Sequence, residues 1–309
     1  MPKFKIIVNP ISGRGTGAHS IPVIRQTLQE YGLDFNIEQT ERPGHAIELT
    51  QQAVRDGYNY VVAAGGDGTC NEVINGLVLA QKAGLGEACM GVLCLGRGND
   101  FAYGAGVPTE LTAGLKALAD GNRHRIDVGL VTGGLYPQGR YFGNGIGIGF
   151  DAVVGFVAAK MTLLHGFFSY IVAALETIFI YFHAPTVEIV YDGTVLTQPS
   201  LMVSIMNGRR MGGGFMMTPD SQADDGMFDM CIIHQVSKLH ALALIPRFFS
   251  GSQAKDKATT MARSHAVTLK AIKGSLPAHT DGETLCVEGQ ELKVEILPRQ
   301  IEIIYRPQG

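Results

Sequence analysis

The stretch Tyr60-Val61-Val62-Ala63-Ala64-Gly65-Gly66-Asp67-Gly68-Thr69-Cys70-Asn71-Glu72 decides the fold. It opens as a short run of β-branched and small apolar residues, the composition of a strand buried on both faces, and passes through glycines into helical spacing over 71–82. A strand, a glycine turn and a helix in that order make phosphate-binding architecture. Glycines let the backbone approach a ligand closely, and N–H groups at the turn and helix start favour an anion. Asp67 is suited to bind a cation that accompanies a nucleotide or to orient its phosphates. A tight turn without a ligand is the plainer reading, but it does not call for Asp67 and Thr69 among the glycines. No Gly-x-x-x-x-Gly-Lys-Ser/Thr sequence occurs in the chain, which excludes an ordinary P-loop.

Two further glycine loops flank this one. Leu95-Gly96-Arg97-Gly98-Asn99-Asp100-Phe101-Ala102 follows a strand over 90–95 and can reach the same ligand from the neighbouring strand end, with Arg97 as a phosphate fork. Asn9-Pro10-Ile11-Ser12-Gly13-Arg14-Gly15-Thr16-Gly17 closes a first strand over 4–8. A single Gly-x-Gly is weak evidence, and three glycine loops after three strands are a stronger pattern. Helices over 21–31 and 45–56 and a strand over 34–39 complete the alternation expected of an α/β layered domain. From about Asp127 the texture changes to alternating strands with Gly-Gly and Asp-Gly turns, at 128–131, 141–145, 186–191 and 195–197. The expected domains are therefore 1–127, with 298–309 as a candidate returning strand, and a β-rich domain over 128–297.

Length and composition agree with two domains, since 309 residues at 46% hydrophobic content can fill two cores. A net charge of −3 gives no reason to expect nucleic acid. The first ten residues lack the apolar core of a secretory signal, and five cysteines without paired metal spacing fit reduced thiols, so a cytoplasmic location is expected. The most apolar stretch, 167–182, is interrupted by Glu176 and falls short of the ~20 residues that span a bilayer. Its Phe168, Ile171, Val172, Leu175, Ile178, Phe179 and Phe182 recur at helical spacing, as a core-packing helix or as a wall of a lipid-accepting cleft.

Three charged segments have two readings each. Asp281-Gly282-Glu283 between strands is an ordinary hairpin turn or a catalytic carboxylate with a neighbour. Asp220, Asp224, Asp225 and Asp229 repel one another unless a cation or hydrogen bonds compensate, and otherwise read as a solvated acidic loop. Over 246–273, six basic residues (Arg247, Lys255, Lys257, Arg263, Lys270, Lys273) stand against Asp256, a local charge of +5. With Phe248 and Phe249 this suits either an anionic membrane surface or a solvated face. His45, His165, His183 and His279 show no metal spacing and are given no catalytic role.

Taken in order, Asn9 to Gly13, Gly44-His45-Ala46, Gly65 to Gly76, Gly96 to Ala102, Arg125-Ile126-Asp127, Asp224-Asp225-Gly226 and Asp281-Gly282-Glu283 resemble the diacylglycerol kinase catalytic-domain family, in its soluble bacterial lipid-kinase branch. The resemblance covers essentially the full length. NAD kinases share the Gly-Gly-Asp-Gly-Thr element, while the Gly-Asn-Asp-Phe-Ala loop and the Asp-Asp-Gly segment are similar to the lipid kinases. The resemblance implies an N-terminal α/β nucleotide-binding domain followed by a C-terminal β-sandwich domain, with the active site between them.

It also implies the roles. Asn9, Ser12, Thr40, Gly65, Gly66, Asp67, Gly68, Thr69, Cys70, Asn71 and Arg97 would bind ATP. Relatives often carry threonine where this chain has Arg97, so the contact there differs in kind. Asp281 would accept the proton of a lipid hydroxyl, with Glu283 orienting it or tuning its acidity. A structural Mg²⁺ would be held by the Asp225 carboxylate and the carbonyls of Gln222 and Met227, with Asp127 joining through water. Expected cofactors are thus ATP and Mg²⁺, and the expected partner is a lipid at a membrane surface, touched transiently. A homodimer is compatible with this reading. Diacylglycerol is the leading acceptor; phosphatidylglycerol, sphingoid bases and other lipid alcohols stay open. The rivals are an NAD kinase-like activity on a soluble acceptor and a nucleotide-regulated lipid-binding protein without chemistry.

Overall fold

In the computed structural model the chain forms two compact units, Met1–Val128 with Pro298–Gly309, and Gly129–Leu297. The structure describes residues 2–160, 167–180 and 184–307, with the backbone alone for 159, 160, 167–170, 179 and 180. Phe182, His165, His183 and the side chains of Phe168 and Phe179 lie outside the described residues.

The first unit runs β1 (Lys3–Val8), α1 (Ser12–Glu30), β2 (Asp34–Gln39), α2 (His45–Arg55), β3 (Tyr60–Gly65), α3 (Asp67–Lys82), β4 (Cys89–Cys94), α4 (Asp100–Gly104) and α5 (Leu111–Asp120). Its strands pair in parallel in the order β2-β1-β3-β4. A parallel sheet covered on both faces needs continuous apolar strands, and β4 is buried at every position. Ile24 and Leu28 of α1 and Leu115 and Leu118 of α5 pack with Phe4, Ile6, Val62 and Leu93 of the strands. Two helix starts differ from expectation. α3 begins at Asp67 rather than 71, with Gly66 as its extended N-cap, so Gly68, Thr69 and Cys70 are its first turn rather than a loop. α1 begins at Ser12 and runs through Pro22, but Gly13, Arg14 and Gly15 have positive φ and kink its entry.

The second half continues as β5 (Arg123–Gly133), β6 (Tyr136–Phe142), β7 (Gly145–Gly149), α6 (Phe150–Lys160), α7 (Phe167–Ile180), β8 (Thr186–Tyr191), β9 (Thr194–Met206), β10 (Phe228–His234), α8 (Lys238–Ser250), β11 (Thr259–Ser264), β12 (Ala266–Lys273), β13 (Leu276–Thr280), β14 (Glu283–Gly289) and β15 (Glu291–Ile304). β5 and β15 carry the chain across the unit boundaries, and at its end β15 joins the first sheet in parallel, Ile303 opposite Met90. Two antiparallel layers form a sandwich, β14-β13-β7-β9-β10-β11 and β9-β8-β12-β15. β9 belongs to both: 194–199 pair with β8, while its second half pairs with β7 and β10.

Period-two alternation then sorts the side chains. Ile146, Ile148, Val203, Ile205, Met230 and Ile232 meet Val187, Ile189, Val267, Leu269, Leu292 and Val294 inside the sandwich. Their strand neighbours Met202, Met206, Cys231 and Ile233 form a second core with Ile178 of α7 and Leu244 and Phe248 of α8. α6 and α8 are helices the sequence reading did not place.

Candidate functional site

In the first unit the three glycine loops converge. Leu95 N–H donates to Gly65 O (2.8 Å), Ser12 Oγ to Leu95 O (3.2 Å), and Asn9 Nδ2 to Thr69 Oγ1 (3.3 Å). Gly66 and Gly96 touch backbone to backbone: a Cβ at Gly96 would stand 2.4 Å from Gly66 Cα, so a side chain there would force the loops apart. Asp67 ties the loops from within. Its Oδ1 accepts from Phe101 N (3.0 Å) at the first turn of α4, while Asp67 itself opens α3, and a carboxylate suits both helix starts. Burial pushes its pKa up against the opposing pull of the backbone donors of Phe101, Asp100 and Asn99. Asp67 therefore positions the second loop.

The remaining expected residues differ in what they offer. Thr40 N–H continues β2 by donating to Val8 O (2.9 Å), and its side chain is half-buried. Arg97 is exposed. Thr69, Cys70 and Asn71 are buried, the Cys70 N–H is taken by Gly66 O (3.1 Å), and the Thr69 hydroxyl accepts the bond from Asn9. Sequence reasoning missed the task of Glu72, whose two oxygens accept from Gly44 N (2.8 Å) and Ala46 N (2.9 Å), capping α2. Gly44-His45-Ala46 and the Gly65–Glu72 element are thus one hydrogen-bonded unit.

In the second unit, Asp281 and Gly282 both have positive φ, as a two-residue hairpin between β13 and β14 requires. The hairpin reading and the carboxylate reading coexist. Asp281 Oδ2 accepts from Gly143 N (2.8 Å) and Asn144 N (3.1 Å), and Oδ1 from Gly145 N (3.1 Å). Buried Asn207 and Thr280 hold the same loop by donating to Gly143 O (2.9 Å) and Gly145 O (2.9 Å). Glu283 forms an ion pair with Arg140, accepts from Tyr136 Oη (3.4 Å), and leaves Arg140 stacked over the Tyr136 ring.

The same unit contains an apolar cavity between the outer face of β9, β10 and β13 and helices α6, α7 and α8, walled by Phe150, Val154, Ala174, Leu244, Ile245 and Phe248. Its floor carries two titratable groups, Asp151 and His279. β7 reads Gly-Ile-Gly-Ile-Gly: the isoleucines enter the sandwich, and the glycines leave room on the helix side. A Cβ at Gly147 would lie 2.5 Å from both Asp151 Oδ2 and His279 Nε2. Asp151 Oδ2 accepts from Ser204 Oγ (3.1 Å), and Asp151 Oδ1 is buried without a partner. Burial pushes the Asp151 carboxyl up to about 8 and the His279 ring down to about 4, so both are uncharged at neutral pH.

The acidic loop does not present a metal cage. Arg263 pairs with Asp225 and lies 3.3 Å from Asp229, while Asp225 Oδ1 accepts from Met227 N (3.1 Å). Among the described residues no group of three or more His, Cys, Asp or Glu could hold a metal ion. Asp225, the one carboxylate of the implied Mg²⁺ set with the carbonyls of Gln222 and Met227, is thus paired with Arg263 in this arrangement. Asp127, in the first unit, is buried and accepts from Arg299 N (2.6 Å), holding that residue at positive φ. The basic stretch also disperses: Arg247 pairs with Asp256, Arg263 with the acidic loop, Lys270 and Lys273 lie on β12, and Phe248 is buried.

Both parts of the chain match known protein families. Residues 3–131 match the diacylglycerol kinase catalytic domain, and residues 144–305 the YegS C-terminal NAD kinase beta sandwich-like domain. The chain is 28% identical over 286 residues to the diacylglycerol kinase of Bacillus subtilis (strain 168), covering 92% of this chain and 90% of that one. It is 29% identical over 303 residues to the "Probable lipid kinase YegS-like" of Pseudomonas aeruginosa, covering 98% and 95%. A crystal structure of a diacylglycerol kinase from Bacillus anthracis superposes with a TM-score of 0.74 at 22% identity over 99% of this chain and 97% of that one. Yeast NADH kinase shares the fold at a TM-score of 0.52 and 14% identity, over 99% of this chain and 84% of that one. With both halves matched in order, the chain belongs to the diacylglycerol kinase catalytic-domain family and its YegS-like lipid kinases.

Proposed function

We propose that this kinase transfers the γ-phosphoryl group of ATP to a lipid hydroxyl, with diacylglycerol as acceptor and phosphatidic acid as product. The observation that carries the lipid half is the apolar cavity of the second unit, whose titratable floor groups among the described residues, Asp151 and His279, are neutral at pH 7. An uncharged polar group on an apolar body suits such a floor, whereas a charged soluble acceptor such as NAD would have to shed its hydration there. The nucleotide half rests on the converging loops of the first unit, with ATP phosphates against the backbone of 65–69 and Arg97 and Thr40 alongside.

In the transfer, the acceptor oxygen forms a bond to the γ-phosphorus, the bond to the ADP oxygen breaks, and the hydroxyl proton passes to Asp281. The amides of 143–145 fix that carboxylate in direction, and Glu283 is held beside it by Arg140 and Tyr136. Proton acceptance supplies about 10²- to 10⁴-fold, and the rest comes from positioning. Mg²⁺ carried on the nucleotide would neutralise phosphate charge. The acceptor reaches the protein by transient contact with a membrane surface.

The test is phosphate transfer from labelled ATP with Mg²⁺ to lipids in mixed micelles, run beside NAD and beside Asp281→Asn. Labelled phosphatidic acid that is lost with the variant is the expected result. Transfer to another lipid alcohol corrects the acceptor, transfer only to NAD replaces the reading with a soluble-acceptor kinase, and nucleotide binding without transfer leaves a binding protein.

A further inference from the structure

α8 is apolar on both sides. Its buried face, Ala241, Leu244 and Phe248, packs on the sandwich and walls the cavity. Its opposite face presents Leu239, Ala243 and Pro246 at helical spacing, all exposed, with Leu239 at 80%. The helix's polar side chains do not break this stripe. His240 and Arg247 both turn to Asp256, at 3.0 Å and 3.3 Å, and Lys238 and Ser250 stand at its two ends. α7 packs beside α8, with Ile245 against Ala173 and Ala174, and adds exposed Val172 (37%) and Leu175 (39%), with Glu176 the one exposed acid beside them among the described residues of α7. A water-facing helix carries charge on its outer side, and a helix apolar all round is covered by something. Around the stripe lie exposed cations, Lys238, Lys255 and Lys257.

We infer that the outer faces of α7 and α8 are the surface that enters an anionic membrane, with Leu239 leading and the lysines as its electrostatic rim. This rests on the lipid-acceptor reading and adds its docking element. Two observations select a bilayer as the occupant. The cation rim complements anionic headgroups, and the helices whose outer faces are exposed are the ones whose inner faces line the apolar cavity. A lipid chain leaving the bilayer at this surface therefore meets apolar side chains on both sides of the same two helices. The surface shares Pro246, Lys255 and Lys257 with the segment expected from sequence and departs from it where Phe248 is buried, Phe249 lies against Phe215 at 5.0 Å, and Lys270 and Lys273 belong to β12.

The experiment is sedimentation of the full chain with vesicles of phosphatidylcholine, with and without phosphatidylglycerol. Leu239→Asp and Leu175→Asp are compared with Val195→Asp, an apolar position on β9 whose exposure lies between theirs. The first two should each weaken binding about tenfold or more, and Val195→Asp should leave it unchanged. Lys238→Gln with Lys255→Gln should weaken binding several-fold per lysine on anionic vesicles only. Transfer to a short-chain, monomerically dissolved acceptor should be unchanged in Leu239→Asp, while transfer to vesicle-borne acceptor falls.

Vesicle binding that ignores Leu239 and Leu175 overturns the surface even where lipid transfer is intact. Loss of lipid transfer activity altogether, with Leu239-dependent vesicle binding retained, supports the surface and removes the acceptor reading instead. A wild-type dimer that Leu239→Asp makes monomeric without weakening vesicle binding overturns it in favour of a contact between copies.

Discussion

Replacing Asp151 with Asn isolates the charge state of the cavity floor. The carboxyl ordinarily titrates at 3.8 and is pushed up to about 8 by burial in the first turn of α6, beside Ser204 and His279. The unfolded chain loses this proton near 3.8 and the folded chain keeps it to about 8, so stability falls as pH rises through that window. One proton contributes ~1.4 kcal/mol per pH unit, and the full window would sum to roughly 6 kcal/mol. Dielectric relaxation around a group that also faces the cavity reduces this to about 2–3 kcal/mol.

His279 acts in the opposite sense. Its ring titrates at about 4 instead of 6.5, so its contribution is present above 6.5 and is lost as pH falls toward 4. In the wild-type protein the two slopes oppose one another below 6.5, and above it the aspartate acts alone. Asp151→Asn keeps the shape and removes the ionisation. Its stability relative to wild type, followed by thermal and urea unfolding, should rise by about 2–3 kcal/mol between about pH 5 and about pH 8. A stability difference that stays constant across that range would refute the buried neutral carboxyl.

Four further outcomes are expected. Gly96→Ala brings a methyl to 2.4 Å from Gly66 Cα, and calorimetric titration with ATP should show affinity reduced tenfold or more while the second unit's unfolding is unaltered. Asp281→Asn sets an amide N–H₂ against backbone donors, and transfer assays should show a loss of about 10²-fold or more, with about 1–3 kcal/mol less stability; wild-type turnover would dismiss Asp281 as the proton acceptor. Arg263→Ala should lower the melting temperature measured in chelator without nucleotide, and Mg²⁺ should restore it, whereas wild type should ignore Mg²⁺; an equal response in both would show that Arg263 does not stand in for a cation. Glu72→Gln keeps one acceptor where two N–H groups need one each, so denaturant unfolding should show a loss of about 1–2 kcal/mol with ATP affinity little changed.

The glycine loops were legible because their cause is local. Only backbone without side chains can approach as Gly66 and Gly96 do, and the strands before them announce themselves by composition. The start of α3 was misplaced because Gly68 and Thr69 are weak helix formers whose first-turn position is fixed by the Gly66 cap and by Asp67 reaching across to α4. Asp151 and His279 could not be paired from sequence, since they meet only through the register that sets His279 opposite Gly147. The alternating Gly-Ile-Gly-Ile-Gly of β7 was the available signal that one face of that strand is kept empty. The acidic loop looked short of cations for the same reason: Arg263 lies opposite Asp229 across β10 and β11, far along the chain. The exposed apolar face of α8 was hidden because its inner and outer faces carry the same residue types, which leaves no period to read.

β9 is the strand from which both cores are built, and this divides the cavity into a fixed wall and an exchangeable one. Val203 and Ile205 are interior to the sandwich, while Met202, Ser204 and Met206, one peptide away, face the helices. A backbone shift that reshaped the cavity from this side would unseat the sandwich at the same step. Relatives that accept bulkier or slimmer lipids should therefore differ in α6, α7 and α8 and keep the strand wall, so that acceptor choice can diverge without the fold being renegotiated.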